Sequence, residues 1–320
     1  MIWTRRKFLR VGAGATCLAG TGAGLWVARS RRRSAKMLRQ FVRDARRDII
    51  PAPVVPEPLK WPSNGIRLCW LGHASVLINF YGLHILTDPV FSRRVGINAG
   101  LGTIGPKRFV APALTRDQLP PIDVVVLSHA HMDHMDLPSL HGFPGSPAGV
   151  TAKDTRDLLG GTPFEGATEL AWGEKTVVRC SRGDLQVEAL EVKHWGRRWP
   201  SNKDRGYNGY VLTREGRSIV FGGDTAFTPL FARLRERGPF GVAIMPVAAY
   251  DPWIRNHCTP EEAVTMANLM GAERIVPVHH QTFKLSDEPM EEPIERFVQA
   301  LEHEPSRIGW RQIGGTCAVV

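Results

Sequence analysis

After residue 62 the chain is built from short apolar runs, each closed by Gly, Pro or Asp. "IRLCWLGHASVLINF" and "LHILTDPVF" read as two strands joined by a turn at Tyr81–Gly82. "DVVVLS" is apolar throughout and short enough to be a buried strand. "LQVEALEVKH", "GYVLT", "SIVFGGDT", "VAIMPV" and "RIVPVH" are further strands on the same criteria. Helical patterns are fewer. "AKDTRDLLG" is one, and "TPLFARLRERG", stopping at Gly238, is a second. "TPEEAVTMANLMGA" is a third: Thr259 fits the N-cap, Pro260 the first turn, and Glu262 completes a capping box. Many strands with helices between them indicate a layered α/β domain, two sheets packed inside helical faces.

The pattern before residue 63 is different. "TRRKFLR" carries the twin arginine Arg5–Arg6 with Phe8 and Leu9, and a Gly/Ala-rich apolar stretch follows from Val11 to Ala28. This resembles a bacterial twin-arginine export signal, so residues 1–30 are expected to be a signal or an uncleaved anchor. The protein is then expected in the periplasm or anchored to the outer face of the inner membrane. Residues 31–62 are expected to hold a basic helix over 34–47 and a Pro-rich linker, "IIPAPVVPEPLKWP". Residues 63–320 form the main domain.

Composition changes this picture little. The 320 residues carry a formal charge of +10, but much of it lies in the first 46 residues, so no nucleic-acid partner is expected. The cysteines Cys17, Cys69, Cys180, Cys258 and Cys317 form no C-x-x-C pair, which excludes a Cys-type structural zinc site and favours isolated thiols.

The candidate chemistry lies at strand ends. "SHAHMDHMD" follows the apolar run "DVVVL" directly. His129 and His131 are two apart, so on extended backbone both imidazoles reach one point. Asp133 and His134 follow where the chain turns and aim at a second. Three more strands end in ligand types: "LEVKH" in His194, "SIVFGGD" in Asp224, and "RIVPVHH" in His279 and His280. The expected site is two divalent cations about 3.5–4 Å apart. His129, His131 and His194 hold one, and Asp133, His134 and His279 or its neighbour His280 hold the other. Asp224 bridges them. Histidine nitrogen with carboxylate oxygen suits zinc first, with manganese or iron as alternatives.

These motifs resemble the metallo-β-lactamase superfamily, marked by H-x-H-x-D-H, a distant His, a bridging Asp and a last His. From about Trp70 to Pro293 the chain is more narrowly similar to the N-acylphosphatidylethanolamine-hydrolysing phospholipase D branch. "WLGHASVLI", "ILTDPVFS", "GPKRFVAPALTRDQLPPIDVVVLSHAHMDHMD", "KHWGRR", "FGGDTAF", "NHCTPEEAV" and "VHHQTF" carry that likeness. It implies an αββα four-layer sandwich with the metals at one edge, and it selects His279 as the last ligand. Asp224 argues against a true β-lactamase, since those enzymes lack that carboxylate.

The resemblance and the ligand set together imply a binuclear hydrolase of N-acylated glycerophospholipids or related small-molecule and lipid phosphodiesters. The alternatives are a lactone or amide hydrolase and a non-catalytic metal-stabilised binding protein. Water shared by two dications has its pKa lowered to roughly 7 from about 15.7, which makes a nucleophile at neutral pH. Asp133 and Asp224 are expected to position it. His257, just before a helix N-terminus, is expected to contact phosphate or donate a proton. Arg197, Arg198 and Lys203 are candidates for an anionic substrate, and Trp195, Trp199 and Trp253 for an acyl wall. His73 reads as a hydrogen-bonding support, and Cys258 as a small buried residue. Contact with a membrane surface and the oligomeric state stay open at this level.

Overall fold

The computed structural model describes Asp44 and residues 46–319, apart from Ala99 and Leu101. The expected signal segment lies outside the described residues, as does nearly all of the expected basic helix. Every element below belongs to one compact unit, Asp48–Val320.

The first apolar run makes two strands, not one. β1 (Ile66–Gly72) and β2 (Ser75–Phe80) pair antiparallel, and β3 (Leu83–Thr87) follows through Tyr81–Gly82. The break falls at Gly72 and His73, with φ of 120° and 52°, where extended backbone cannot continue. A small hairpin, β4 (Ile97–Asn98) and β5 (Thr103–Ile104), leads to the buried strand β6 (Val124–Leu127) and the short helix α1 (Leu137–His141). β7 (Ala148–Ala152) and β8 (Thr168–Leu170) complete this half.

The second half opens with β9 (Lys175–Cys180), β10 (Gly183–Leu190), β11 (Gly209–Arg214) and β12 (Arg217–Phe221). β13 (Phe240–Pro246), helix α2 (Pro260–Met270) and β14 (Ala272–Val278) come next, then α3 (Glu292–Ala300) and β15 (Thr316–Val319). One sheet has the order β15-β1-β2-β3-β6-β7-β8 and the other β14-β13-β12-β11-β10-β9.

Period-two alternation sorts the second sheet between two cores. Leu212, Phe221, Ile244 and Val278 face inward and share a core with Leu68, Val76, Ile85 and Val125 of the first sheet. Val211, Val220, Ala243 and Ile275 face outward and meet Ala263, Ala267 and Met270 of α2 and Phe297 of α3. Leu140, Phe143, Leu159 and Phe164 pack on the first sheet. This is the αββα sandwich.

α2 is capped as the sequence implies. The Thr259 hydroxyl accepts from Glu262 N at 3.3 Å, Thr259 N donates to the Glu262 carboxylate at 2.9 Å, and Gly271 closes the helix with φ 76°. The other two expected helices are 3₁₀ segments. Over "AKDTRDLLG" only Arg156–Leu158 is helical, because Asp154 is left-handed (φ 61°) and the Thr155 hydroxyl bonds Ala152 O at 2.6 Å instead. Pro229–Arg237 is 3₁₀, and its buried Phe231 and Leu234 are spaced by that helix's three-residue repeat. Helix α3 is absent from the sequence-based expectations.

Part of the expected linker belongs to the domain. Ile50 N donates to Phe109 O at 2.9 Å, Ala111 N donates to Ile50 O at 2.7 Å, and Pro56 and Pro58 are buried. Cys69, Cys180, Cys258 and Cys317 are unpaired thiols.

Candidate metal centre

The pairing directions bring many strand ends to one edge. β3 and β6 run parallel, as do β12, β13 and β14, and β10 is two antiparallel steps from β12. The residues following β6, β10, β12 and β14 therefore emerge together, at the carboxyl ends where α/β sheets bind ligands. Gly223 makes one of these exits possible. Its φ is 56°, and a Cβ there would lie 2.5 Å from Asn208 O, so only glycine lets the chain turn and swing Asp224 inward.

Seven expected ligands converge. His129 Nε2 lies 2.9 Å from His131 Nδ1, which lies 3.2 Å from His194 Nε2. His134 Nε2 and His279 Nε2 lie 3.6 and 3.5 Å from Asp133 Oδ2. Asp224 Oδ2 sits between the two groups: 3.1 Å from His134, 3.2 Å from His279, 3.7 Å from His194 and 4.0 Å from His129. The sharing of one carboxylate oxygen by both groups is the arrangement expected of Asp224. His280 diverges from its neighbour and packs on Trp70, with ring centroids 4.4 Å apart.

Hydrogen bonds behind the ligands fix which nitrogen faces inward. The His134 Nδ1–H donates to Asp88 Oδ2 at 2.7 Å, and the His194 Nδ1–H donates to Asn256 O at 2.8 Å. The His129 Nδ1–H donates to Ser128 Oγ at 2.9 Å, whose hydroxyl donates to Asp88 Oδ2 at 2.5 Å. Each of these imidazoles is thus held as the tautomer whose Nε2 lone pair points into the cluster. Inside, His134 Nε2, His279 Nε2 and Asp224 Oδ1 are buried without a hydrogen-bond partner. Converging lone pairs and a buried carboxylate are a poor arrangement by themselves and a good one around a cation. The residues fit the metal.

The electrostatics divide the ligands: Asp224 and Asp133 overcome burial and raise His134 well above the ordinary imidazole range and His279 to about 9, while the other three imidazoles are lowered. Burial drives His129 and His194 well below the ordinary imidazole range and His131 down to about 4, so these three are neutral ligands at pH 7. Burial alone would raise Asp133 and Asp224, but the facing imidazoles, His134 first, pull both well below the carboxylate range.

The remaining candidates separate. His73 is a support, donating from Nε2 to Asp133 Oδ2 at 2.9 Å, while its carbonyl accepts from His279 N at 3.0 Å. His257 reaches the centre, with Nδ1 3.9 Å from Asp224 Oδ2 and without a hydrogen bond. It does not cap α2, since Thr259 does. Arg198 departs from its expected substrate contact: Nη1 donates to Ala130 O at 2.8 Å and Met135 O at 2.9 Å, clamping the loop that holds the first ligands. Arg197 is paired with Asp204 at 2.6 Å on the surface, and Lys203 lies 3.7 Å from Asp157. Trp195, Trp199 and Trp253 are all exposed, and Trp195 alone lies tilted against His131 and His194, with ring centroids 4.5 and 4.3 Å away. Cys258 is buried with its thiol on Pro246 O, and burial pushes it away from the thiolate.

Sequence reasoning did not single out Asp88, Ser128 or Asn256. Asp88 carried a usable signal: it follows β3 in "ILTDP" as Asp224 follows β12. Asn256 acts through its carbonyl, which no side-chain pattern reveals.

A family model described as a β-lactamase superfamily domain matches residues 84–280. The chain belongs to that superfamily. Within the metallo-β-lactamase superfamily it resembles the N-acylphosphatidylethanolamine-hydrolysing phospholipase D branch. N-acyl-phosphatidylethanolamine-hydrolyzing phospholipase D 1 of Caenorhabditis elegans is 31% identical over 238 residues, covering 69% of this chain and 65% of that one. An uncharacterised protein of Mycobacterium tuberculosis is 32% identical over 271 residues, covering 79% and 70%. Among solved structures, the metallo hydrolase Igni18 of Ignicoccus hospitalis shares the fold, with a TM-score of 0.59 at 18% identity over 80% of this chain and 99% of its own. The metallo-β-lactamase fold and the His/Asp cluster identify a metal-dependent hydrolase.

Proposed function

We propose that this protein is a phosphodiesterase of phospholipase D type, acting on N-acylated glycerophospholipids or related anionic phosphodiesters. Two divalent cations, zinc first, would be held by His129, His131 and His194 on one side and Asp133, His134 and His279 on the other, with Asp224 shared. Cations in such a site supply Lewis acidity and a water-derived nucleophile at neutral pH.

The chain's own residues define the rest. Asp133 is held by His73 and faces the second ligand group, so its carboxylate orients the proton of an attacking water. His257 brings an unpaired Nδ1 to the edge of the cluster, where the ring can hydrogen-bond a phosphoryl oxygen of the substrate. Burial lowers His257 to about 4, so in the resting site it is a neutral hydrogen-bonding group. Trp195, beside His131 and His194, offers an apolar face to a lipid. The twin-arginine pattern leads us to assign this activity to the outer side of the bacterial inner membrane.

The observation that carries the proposal is Asp224 shared between two donor groups, a carboxylate that true β-lactamases lack, joined to 31% identity with a phospholipase of this branch. The test is incubation of the metal-loaded protein with a total lipid extract, read by mass spectrometry. N-acylphosphatidylethanolamines should be consumed, with N-acylethanolamine and phosphatidic acid appearing together. Turnover of a lactone or nitrocefin, with no cleavage of lipid or of bis(p-nitrophenyl) phosphate, would contradict it.

A further inference from the structure

The loop between β13 and α2 does two things at the centre. Asn256 O takes the outward N–H of His194, and His257 stands 3.9 Å from Asp224. Neither residue lies in a strand or helix, so something else must hold the loop. Its last part is a turn of its own: Asn256 N and His257 N both donate to Trp253 O, at 2.8 and 3.0 Å. Its first part, Ala249–Asp251, has no such internal bonds, and Ala249 is left-handed with φ 67°.

That first part is held by one buried carboxylate from a different segment. Glu288 Oε1 accepts from Ala249 N at 2.6 Å, and Glu288 Oε2 accepts from Asp251 N at 3.1 Å. Ser286 Oγ donates to Oε1 at 2.6 Å and fixes the carboxylate's orientation. Asp287 N donates to Asp251 O at 2.8 Å, and Lys284 Nζ donates to Glu288 O. Tyr250 between them is also tied, its hydroxyl donating to Glu292 at 2.7 Å. A bidentate carboxylate on two backbone N–H groups is the strong, directional kind of contact. It fixes the loop two residues before Trp253, the residue on which Asn256 and His257 turn.

We propose that Glu288 is a positioning residue for the metal centre, acting through the 249–257 loop on both His194 and His257. The inference rests on the metal-centre reading and is independent of which bond the enzyme cleaves. Glu288→Gln keeps the shape but turns one acceptor into a donor, so one of the two backbone N–H groups loses its partner. The loop then loosens while the sandwich stays folded.

Two readouts test this on the full-length, metal-loaded protein, with Leu159→Ala as a control that damages the core under the other sheet. The first is metal retention against a competing chelator. Glu288→Gln should weaken it by about tenfold, the low end for losing a partner behind a ligand, while Leu159→Ala lowers Tm with native retention. The second is kcat on bis(p-nitrophenyl) phosphate. Glu288→Gln should lower kcat, and the loss should largely vanish in a His257→Ala background, because both changes remove the same positioned group. Ser286→Ala should move both readouts in the same direction but less, and serves if Glu288→Gln folds poorly. Native metal retention in Glu288→Gln, or losses that multiply with His257→Ala, would overturn the proposal. Absence of phosphodiester turnover in the wild type would count against the proposed reaction, and chelator competition would still decide the role of Glu288.

Discussion

Asp88 shows what a single residue behind the ligands does. Its Oδ2 takes the His134 Nδ1–H and the Ser128 hydroxyl, its Oδ1 takes Ser128 N, and it is fully buried. Through Ser128 it also sets the tautomer of His129. One carboxylate thus decides which nitrogen faces inward on a ligand from each half of the cluster. Asp88→Asn would present an N–H to one of these donors. His134 or Ser128 must then reorient, and the lone pair that faces the metal is lost in part of the population. We expect metal retention in Asp88→Asn to fall about 10- to 100-fold by chelator competition. Native retention would show that tautomer control is not what Asp88 provides.

At the scale of elements, the legible features were those encoded locally. The run Val124–Leu127 reads as a buried strand because every position is apolar, and it is the interior strand β6, between β3 and β7. The cap of α2 reads from Thr259 and Glu262 because the box is made within four residues. Strand ends carrying His194, Asp224 and His279 read as ligands because ligand types stop apolar runs. What escaped depends on distant neighbours. The split of the first run at His73 is fixed by Thr282, whose hydroxyl takes His73 N at 2.7 Å from across the sequence. The segment at Ile50 looks like linker until Phe109 and Ala111 supply its backbone partners. Arg198 looks like an anion contact because its use, two carbonyls of the metal loop, leaves no trace in composition. Two of three helices were read by pattern where local competition and a three-residue repeat make 3₁₀ turns instead.

The whole molecule gathers an unusual density of buried imidazoles at one edge, and this has a consequence for acid stability. In the metal-free protein, burial lowers His73 and His280 to about 3 and His131 and His257 to about 4. Unfolding releases each to an ordinary value near 6.5. Between pH 6.5 and 4 the unfolded chain binds protons that the folded chain refuses, so stability falls as pH falls. The slope is about 1.4 kcal/mol per pH unit for each such imidazole. His279 has the opposite character. Burial opposes its charge, but Asp224 and Asp133 lift it to about 9. Well below 6.5 it is protonated in both states and adds no slope; its contribution is lost as pH rises from about 6.5 through 9, and His134, raised by the same two carboxylates, behaves alike. Thermal melts of chelator-stripped protein should therefore show Tm dropping steadily from pH 6.5 to 5. A Tm that holds or rises toward acid would mean these imidazoles are not buried neutral.

The central proposal is that seven side chains from four strand ends would hold a pair of cations, with Asp224 shared between the two groups of ligands. Elemental analysis of purified protein tests it most directly, with wild type beside Asp224→Ala and the folded state of each checked by circular dichroism. The account predicts close to two equivalents of a divalent transition metal in the wild type and at most one in folded Asp224→Ala. Active wild-type protein without stoichiometric metal, or folded Asp224→Ala retaining both equivalents, would contradict it.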